Sequence, residues 1–287
     1  MKKKFNSIAG VTLIEILIGI VISTVMMGAM YTSYAVVNSS YSQITDRAKI
    51  SQSGRDVVAM MMRDVRMAGY KYFNDNIQHD TTHHSPIIIT KRTVGPTAVD
   101  CDKLEIVYGG IDYNPAGNPK HTFTRYKITY KCIPSKIIDK NVAGGQTTIK
   151  AFALWKSKVK WQVNASGVGS WANPTTDLNV FGNDDNRPSA DEKVIEYVSD
   201  LVINAVDENG RIIDPPPTPT NATKDKIYKI KTVDIGLTMR SKNKFFKNQK
   251  QRTTYAIGDN SRNIVENDKY LRDSITVSAH ARNLGLE

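Results

Sequence analysis

The run from Val11 to Val37 contains one side chain that is charged at neutral pH, Glu15, and no feature constrains the fold of this chain more tightly. A helix needs ~20 apolar residues to cross a bilayer core, and this run supplies them. It is longer than the ~7–15 apolar residues of a cleaved secretory signal, and no Ala-x-Ala-like site follows it. Lys2, Lys3 and Lys4 stand before it. Basic residues ahead of a first span keep that end in the cytoplasm, so the rest of the chain is expected outside it. A plain signal anchor accounts for the lysines and the apolar run but not for Glu15. A charge at membrane depth costs about 2.5–3.5 kcal/mol even on lenient scales, which marks Glu15 as functional.

The residues around that acid are Ala9-Gly10-Val11-Thr12-Leu13-Ile14-Glu15-Ile16-Leu17-Ile18. They resemble the class III signal of type IV pilins and pseudopilins. In that family a prepilin peptidase cuts after the glycine and methylates the new N-terminus. The resemblance implies cleavage between Gly10 and Val11, methylation of Val11, and a subunit-assembly role for Glu15. The family usually places Phe first after the cut, where this chain has Val11. The implied physics is coherent. Cleavage creates an ammonium at Val11, an ammonium in lipid needs a counter-charge, and Glu15 lies about one helical turn away. Between neighbouring subunits such a pair sets axial register, because a misplaced subunit leaves both charges bare.

No proline occurs before residue 86, and apolar residues continue at helical spacing beyond the anchor. Tyr41, Ile44 and Ala48 share one face, followed by Val58, Met61, Met62 and Val65. Arg63, Asp64 and Arg66 fall on the opposite face. Gly54 is a weak point, and Gly69 suits a helix C-terminus. One helix is therefore expected over Val11–Ala68, roughly 87 Å at ~1.5 Å per residue. Met60, Met61, Met62 and Met67 read as core filling. Met62 to Tyr70 resembles the end of the stem helix in PilW-type minor pilins. The stem also lacks the proline common in major pilins.

After Tyr70 the pattern turns to short β-like runs. Strands are expected at Ser85–Thr90, Lys103–Tyr108, Thr122–Cys132, Ile149–Trp155, Lys158–Val163, Val194–Val206, Ile227–Arg240 and Ser274–Arg282. Alternation in Val233–Met239 and Ser274–Ala279 suits half-buried antiparallel strands. Asn209-Gly210 signals a hairpin. Residues 164–191 and 214–221 read as long polar loops. The closing run, ending Arg282-Asn283, resembles the last strand of PilW-type and J-type proteins. The expected fold is α+β, with a long N-terminal helix packed on an antiparallel β-rich head. The expected divisions are a leader over 1–10, a transmembrane helix over 11–37, an amphipathic stem over 38–70 and a periplasmic head over 71–287.

The two cysteines, Cys101 and Cys132, are expected to form a disulfide outside the cytoplasm. His79, His83 and His84, with Asp75 and Asp80, lack regular metal-ligand spacing and read as an exposed loop. Asp184-Asp185-Asn186 and Asp207-Glu208-Asn209 fit no defined calcium loop. The net charge is +11, from 39 basic and 28 acidic residues. Lys242, Lys244, Lys247, Lys250 and Arg252 interleave with Phe245 and Phe246, and form a candidate DNA or surface-binding patch. No hydrolase, metalloprotease, phosphate-loop or thiol–imidazole signature occurs, so neither enzymatic activity nor a cofactor is expected.

The resemblance implies a non-catalytic minor pilin that joins or initiates a type IV pilus. The alternatives are the J-type minor pseudopilin of type II secretion and a pilus-borne adhesin or DNA-uptake module. The implied partners are the prepilin peptidase, other minor and major pilins, the inner-membrane assembly platform and a surface or DNA ligand. The implied location is the inner membrane before assembly, and the fibre or cell surface after it.

Overall fold

Helix α1 spans Leu13–Met67 without interruption. The computed structural model describes residues 10–70, 85–92, 101–113, 115–139, 147–163, 166–172, 191–219, 224–258 and 262–284. These fall into two compact units, Met1–Ala48 and Lys49–Glu287. The first unit is the apolar part of α1, long and apolar enough to cross a membrane. Its large apolar side chains, from Leu13 through Val37, face outward. Its hydroxyls turn back onto the helix. Ser23 donates to the Gly19 carbonyl at 2.7 Å, and Thr24 and Thr32 donate to the Val21 and Ala29 carbonyls at 2.8 Å. Hydrocarbon offers no other partner, so this local bonding lets polar residues occupy a lipid-facing helix.

The second unit begins with the rest of α1. The strands are β1 (Ile87–Thr90), β2 (Lys103–Tyr113), β3 (His121–Pro134), β4 (Ile138–Asp139), β5 (Thr147–Thr148) and β6 (Phe152–Val163). They continue with β7 (Gly169–Ala172), β8 (Asp191–Val206), β9 (Thr232–Arg240), β10 (Lys250–Thr254), β11 (Ile264–Asp268) and β12 (Arg272–His280). A short helix, α2 (Lys224–Tyr228), precedes β9. Eight strands form one sheet in the order β1-β2-β3-β6-β8-β9-β12, with β7 also paired to β6. Every pairing is antiparallel. Two small pairs, β4-β5 and β10-β11, stand apart. Cys101 and Cys132 are bonded to one another.

One sheet face carries Leu104, Ile106, Ile128, Tyr130, Leu154, Leu201, Ile203, Ile235 and Leu237, all buried. Val57, Val58, Met61 and Val65 of α1 join them in one core. Met60, Met62 and Met67 pack partly buried against it, as core-filling methionines should. Each fully buried aliphatic side chain contributes about 1.5–3 kcal/mol, so the sheet face and the helix stripe hold each other.

Gly54 is not a weak point but a close approach. A Cβ there would meet Ile275 Cδ1 at 2.5 Å and Met239 Sδ at 3.2 Å. Gly54→Leu is expected to lower the stability of this unit by about 1–3 kcal/mol in chemical denaturation, despite the better helix propensity of leucine.

Three strand expectations are corrected. The run Lys158–Val163 and the Phe152–Trp155 part of Ile149–Trp155 belong to one strand, β6, and residues 149–151 precede it. Lys156 looked like a break but is buried against a partner from α1. The start of Ile227–Arg240 is α2 and a turn, although Ile227 and Ile230 are still buried. Lys250–Thr254, where no strand is expected, is β10. Asn209-Gly210 does form a tight turn, with the Asp207 carboxylate accepting from the Asn209 and Arg211 amides. The clusters around His79–His84 and Asp184–Asn186 lie outside the described residues. Among the described residues, no group of three or more His, Cys, Asp or Glu side chains is placed to hold a metal.

Candidate functional site

Gly10 and Val11 precede the first helical turn, and Val11 is fully in the open at 72% exposure. The peptide bond between them is therefore outside regular structure. The helix starts at Leu13 rather than Val11, with Thr12 as its N-cap. The Thr12 amide and hydroxyl both donate to Glu15 Oε2 at 2.9 Å, and the Glu15 amide donates back to the Thr12 hydroxyl at 3.4 Å. This is a capping box, Thr-x-x-Glu, which satisfies donors that a helix N-terminus leaves unpaired. Glu15 thus has a local task besides any role between subunits. The spacing was visible in the sequence. It was masked there by the attention a lone acid in an apolar run attracts. Both donations fall on one carboxylate oxygen, and Oε1 takes no part in the box.

Two buried ionic clusters organise the second unit. The first corrects the placing of Asp64 on a solvent face. Asp64 is 1% exposed, and its Oδ2 accepts from Lys156 Nζ and from the Tyr130 hydroxyl, each at 2.6 Å. Lys156 also lies 5.4 Å from the centre of the Tyr130 ring. Burial first, then the Asp64 charge and hydrogen bond, push the Tyr130 phenol well above its usual range, so it stays a donor. Burial and Asp64 likewise raise Tyr108 to about 12. Asp64 is the point at which α1 is pinned to β3 and β6.

The second cluster closes an open sheet edge. β6 pairs with β8 only as far as Val198, whereas β9 accompanies β8 to Val206 on the other side. The exposed half-edge of β8 needs partners, because buried backbone groups without them are costly. Asp102 supplies most of them. Its amide donates to the Leu201 carbonyl at 2.9 Å, and its Oδ2 accepts from the Ile203 amide at 2.8 Å. Lys91 donates to the Ile203 carbonyl and to Asn204 Oδ1, both at 2.6 Å. Arg262 reaches in with Nη1 to Asp102 and Nη2 to Asp200, each at 2.5 Å, and also donates to the Leu201 carbonyl. Burial raises the Asp200 carboxyl above its ordinary range, with Arg262 opposing the rise. Burial alone would lower Arg262, but Asp200 and Asp102 outweigh it and hold the guanidinium charged. The Cys101–Cys132 bridge sits one residue from Asp102.

The candidate surface patch divides. Lys242, Lys244, Lys247 and Lys250 are exposed. Arg252 is committed to structure: its guanidinium lies 3.4 Å from the Phe246 ring centre and donates to the Lys250 and Asp268 carbonyls. Phe245 and Phe246 are anchored in turn, both amides donating to the Lys269 carbonyl.

The two other stretches singled out in the sequence meet. The Asn283 side-chain Nδ2 donates to the Arg66 and Ala68 carbonyls at 3.2 Å, which caps the C-terminus of α1. Gly69 follows with φ of +72°, a left-handed turn that favours glycine.

Residues 5–31 match the family model for the prokaryotic N-terminal methylation motif. The chain carries that motif. The match spans the Gly10–Val11 junction and Glu15, and stops short of the second unit. Among solved structures, the chain is similar to a type IV-like pilin from Thermus thermophilus at 10% identity. That similarity covers 82% of this chain and 96% of the other, with a TM-score of 0.37. At that score the likeness is too loose to carry more, so the functional reading rests on the N-terminal residues. No curated protein matches the chain.

Proposed function

We propose that this chain is a non-catalytic subunit of a type IV pilus, and within that class a minor, PilW-like subunit that helps initiate or tip the fibre. One observation carries the reading. A methylation motif stands at the head of an apolar helix whose first turn holds a single acid, Glu15. Prepilin peptidase cuts Gly10–Val11 and methylates Val11. The new ammonium is then balanced by Glu15, within one subunit or across to a neighbour. The partners are other minor and major pilins and the inner-membrane assembly platform. The resemblance of Met62–Tyr70 to the end of the PilW-type stem helix supports the minor-subunit placement. The same physics serves a J-type pseudopilin, and gene neighbours encoding a secretion rather than a pilus machine would move the chain there.

Mass spectrometry of protein from native membranes tests the reading. The expected N-terminus is methylated Val11, and Gly10→Val is expected to retain Lys2–Lys4. An intact leader on the wild-type protein would reduce it to a tethered domain. Glu15→Gln is expected to be cleaved normally yet to be lost from sheared fibres, because the Val11 ammonium then has no counter-charge.

A further inference from the structure

The sheet treats its open edges unequally. The half-edge of β8 is closed by Asp102, Lys91 and Arg262. β1, at one end of the sheet, is four residues long and is followed directly by Lys91-Arg92. Short length and basic residues are the usual guards against unwanted strand pairing. β12, at the other end, is guarded less: it is longer, and its charged residues, Arg272 and Asp273, stand at its first two positions, with Arg272 tied to Asp268. It runs nine residues, Arg-Asp-Ser-Ile-Thr-Val-Ser-Ala-His, without proline, glycine or lysine. Its inner edge pairs with β9 from Arg272 to His280. Among the described residues, no backbone hydrogen bond is made to its outer edge. Alternate amides and carbonyls there have no backbone partner among the described residues.

Its two faces differ. Ser274, Thr276 and Ser278 are exposed, and two of them already bond across to β9, Ser274 with Thr238 and Ser278 with Asp234. Ile275 and Val277 lie on the core side and remain half-buried.

The centre of β12, Ser274-Ile275-Thr276-Val277-Ser278, has the same polarity pattern from either end. An antiparallel partner of identical sequence centred on Thr276 would set Ile275 against Val277 and Ser274 against Ser278. β-branched and hydroxyl cross-strand pairs of this kind are favourable. At the ends Asp273 meets Ala279, and Arg272, whose charge is paired with Asp268, meets His280. Self-complementarity about a point is what a two-fold interface requires.

We propose that β12 is an interaction edge whose occupant is β12 of a second copy, paired antiparallel about Thr276. The pairing joins two sheets into one and covers Ile275 and Val277 of each copy. It is independent of the fibre reading.

Cysteine cross-linking of the full-length protein, in native membranes and in mild detergent, tests the register. Directly opposed strand residues have Cα atoms about 4.5–5.5 Å apart, within disulfide range. Thr276→Cys is therefore expected to give a covalent dimer on oxidation. Ser274→Cys alone is expected to give little, and Ser274→Cys mixed with Ser278→Cys to give a strong heterodimer. Thr276 is exposed, so Thr276→Lys leaves the head folded while placing two ammonium groups at the two-fold. It is expected to cut the dimer fraction by at least tenfold in sedimentation. Equal cross-linking at all three positions would indicate association through the apolar helix, and would overturn the proposal. So would a folded wild-type protein that is monomeric and gives no Thr276→Cys dimer. Cross-linking of Thr276→Cys to a different protein, with none to itself, would show that the edge is used by another partner and would equally overturn the choice of a second copy.

Discussion

Arg262→Leu is expected to destabilise the second unit by about 3–5 kcal/mol, the cost of removing one partner from a buried ion cluster. The loss has two sources. Asp102 and Asp200 would face each other inside the protein without the cation that both contact at 2.5 Å. The Leu201 carbonyl would also lose one of its donors on the open half-edge of β8. Asp102→Ala is expected to cost at least as much, because it also strips the Ile203 and Arg92 amides of their acceptor. Asp200→Asn is expected to cost clearly less. Burial already disfavours its charge, its Oδ2 has no partner, and Asp102 continues to hold Arg262. Denaturant unfolding of the full chain in mild detergent, followed by tryptophan fluorescence, ranks the three. A loss below about 1 kcal/mol for Arg262→Leu would show that the edge of β8 does not depend on this cluster.

The anchor and its acid were legible because charge is so rare in a run of that length that position alone carries meaning. The strands were legible where alternation followed burial, as in β9 and β12. The clusters were not, for a physical reason. Arg262 and Asp102 are 160 residues apart, and only the topology that brings the start of β2 against the half-edge of β8 places them together. Asp64 misled because a charged residue between two arginines reads as solvent-facing. Its burial depends on Lys156, a second misleading charge, which split β6 into two runs in the sequence reading. A buried pair thus erases itself twice from a hydropathy pattern, once at each partner. Thr12 and Glu15 show the opposite case. Their spacing was enough to give the capping box, but the acid had already been assigned to a different partner.

Lys156→Met is expected to destabilise the second unit by about 3–5 kcal/mol, because Asp64 would lose its buried cation and keep only Arg63, a largely exposed partner 3.5 Å away. Asp64→Leu should cost a comparable amount for the converse reason, leaving Lys156, at 3% exposure, without this carboxylate. The double variant Asp64→Leu/Lys156→Met should recover most of the loss, since apolar replacement of a whole buried pair is often neutral. Tyr130 would then hold a buried hydroxyl without its acceptor, at about 1–3 kcal/mol, and adding Tyr130→Phe should return that part. The double-mutant cycle on Asp64 and Lys156 measures the coupling, and a value near zero would deny the pair any role. A strong coupling would bear on assembly as well as on stability. The apolar stripe of Val58, Met61 and Val65 tolerates sliding against a greasy sheet, whereas a 2.6 Å ion pair does not. Asp64 therefore fixes the register of α1 on its sheet. In the proposed fibre subunit, Glu15 would fix the register of the same helix among its neighbours. A triple variant that is stable yet poorly assembled would separate these two contributions.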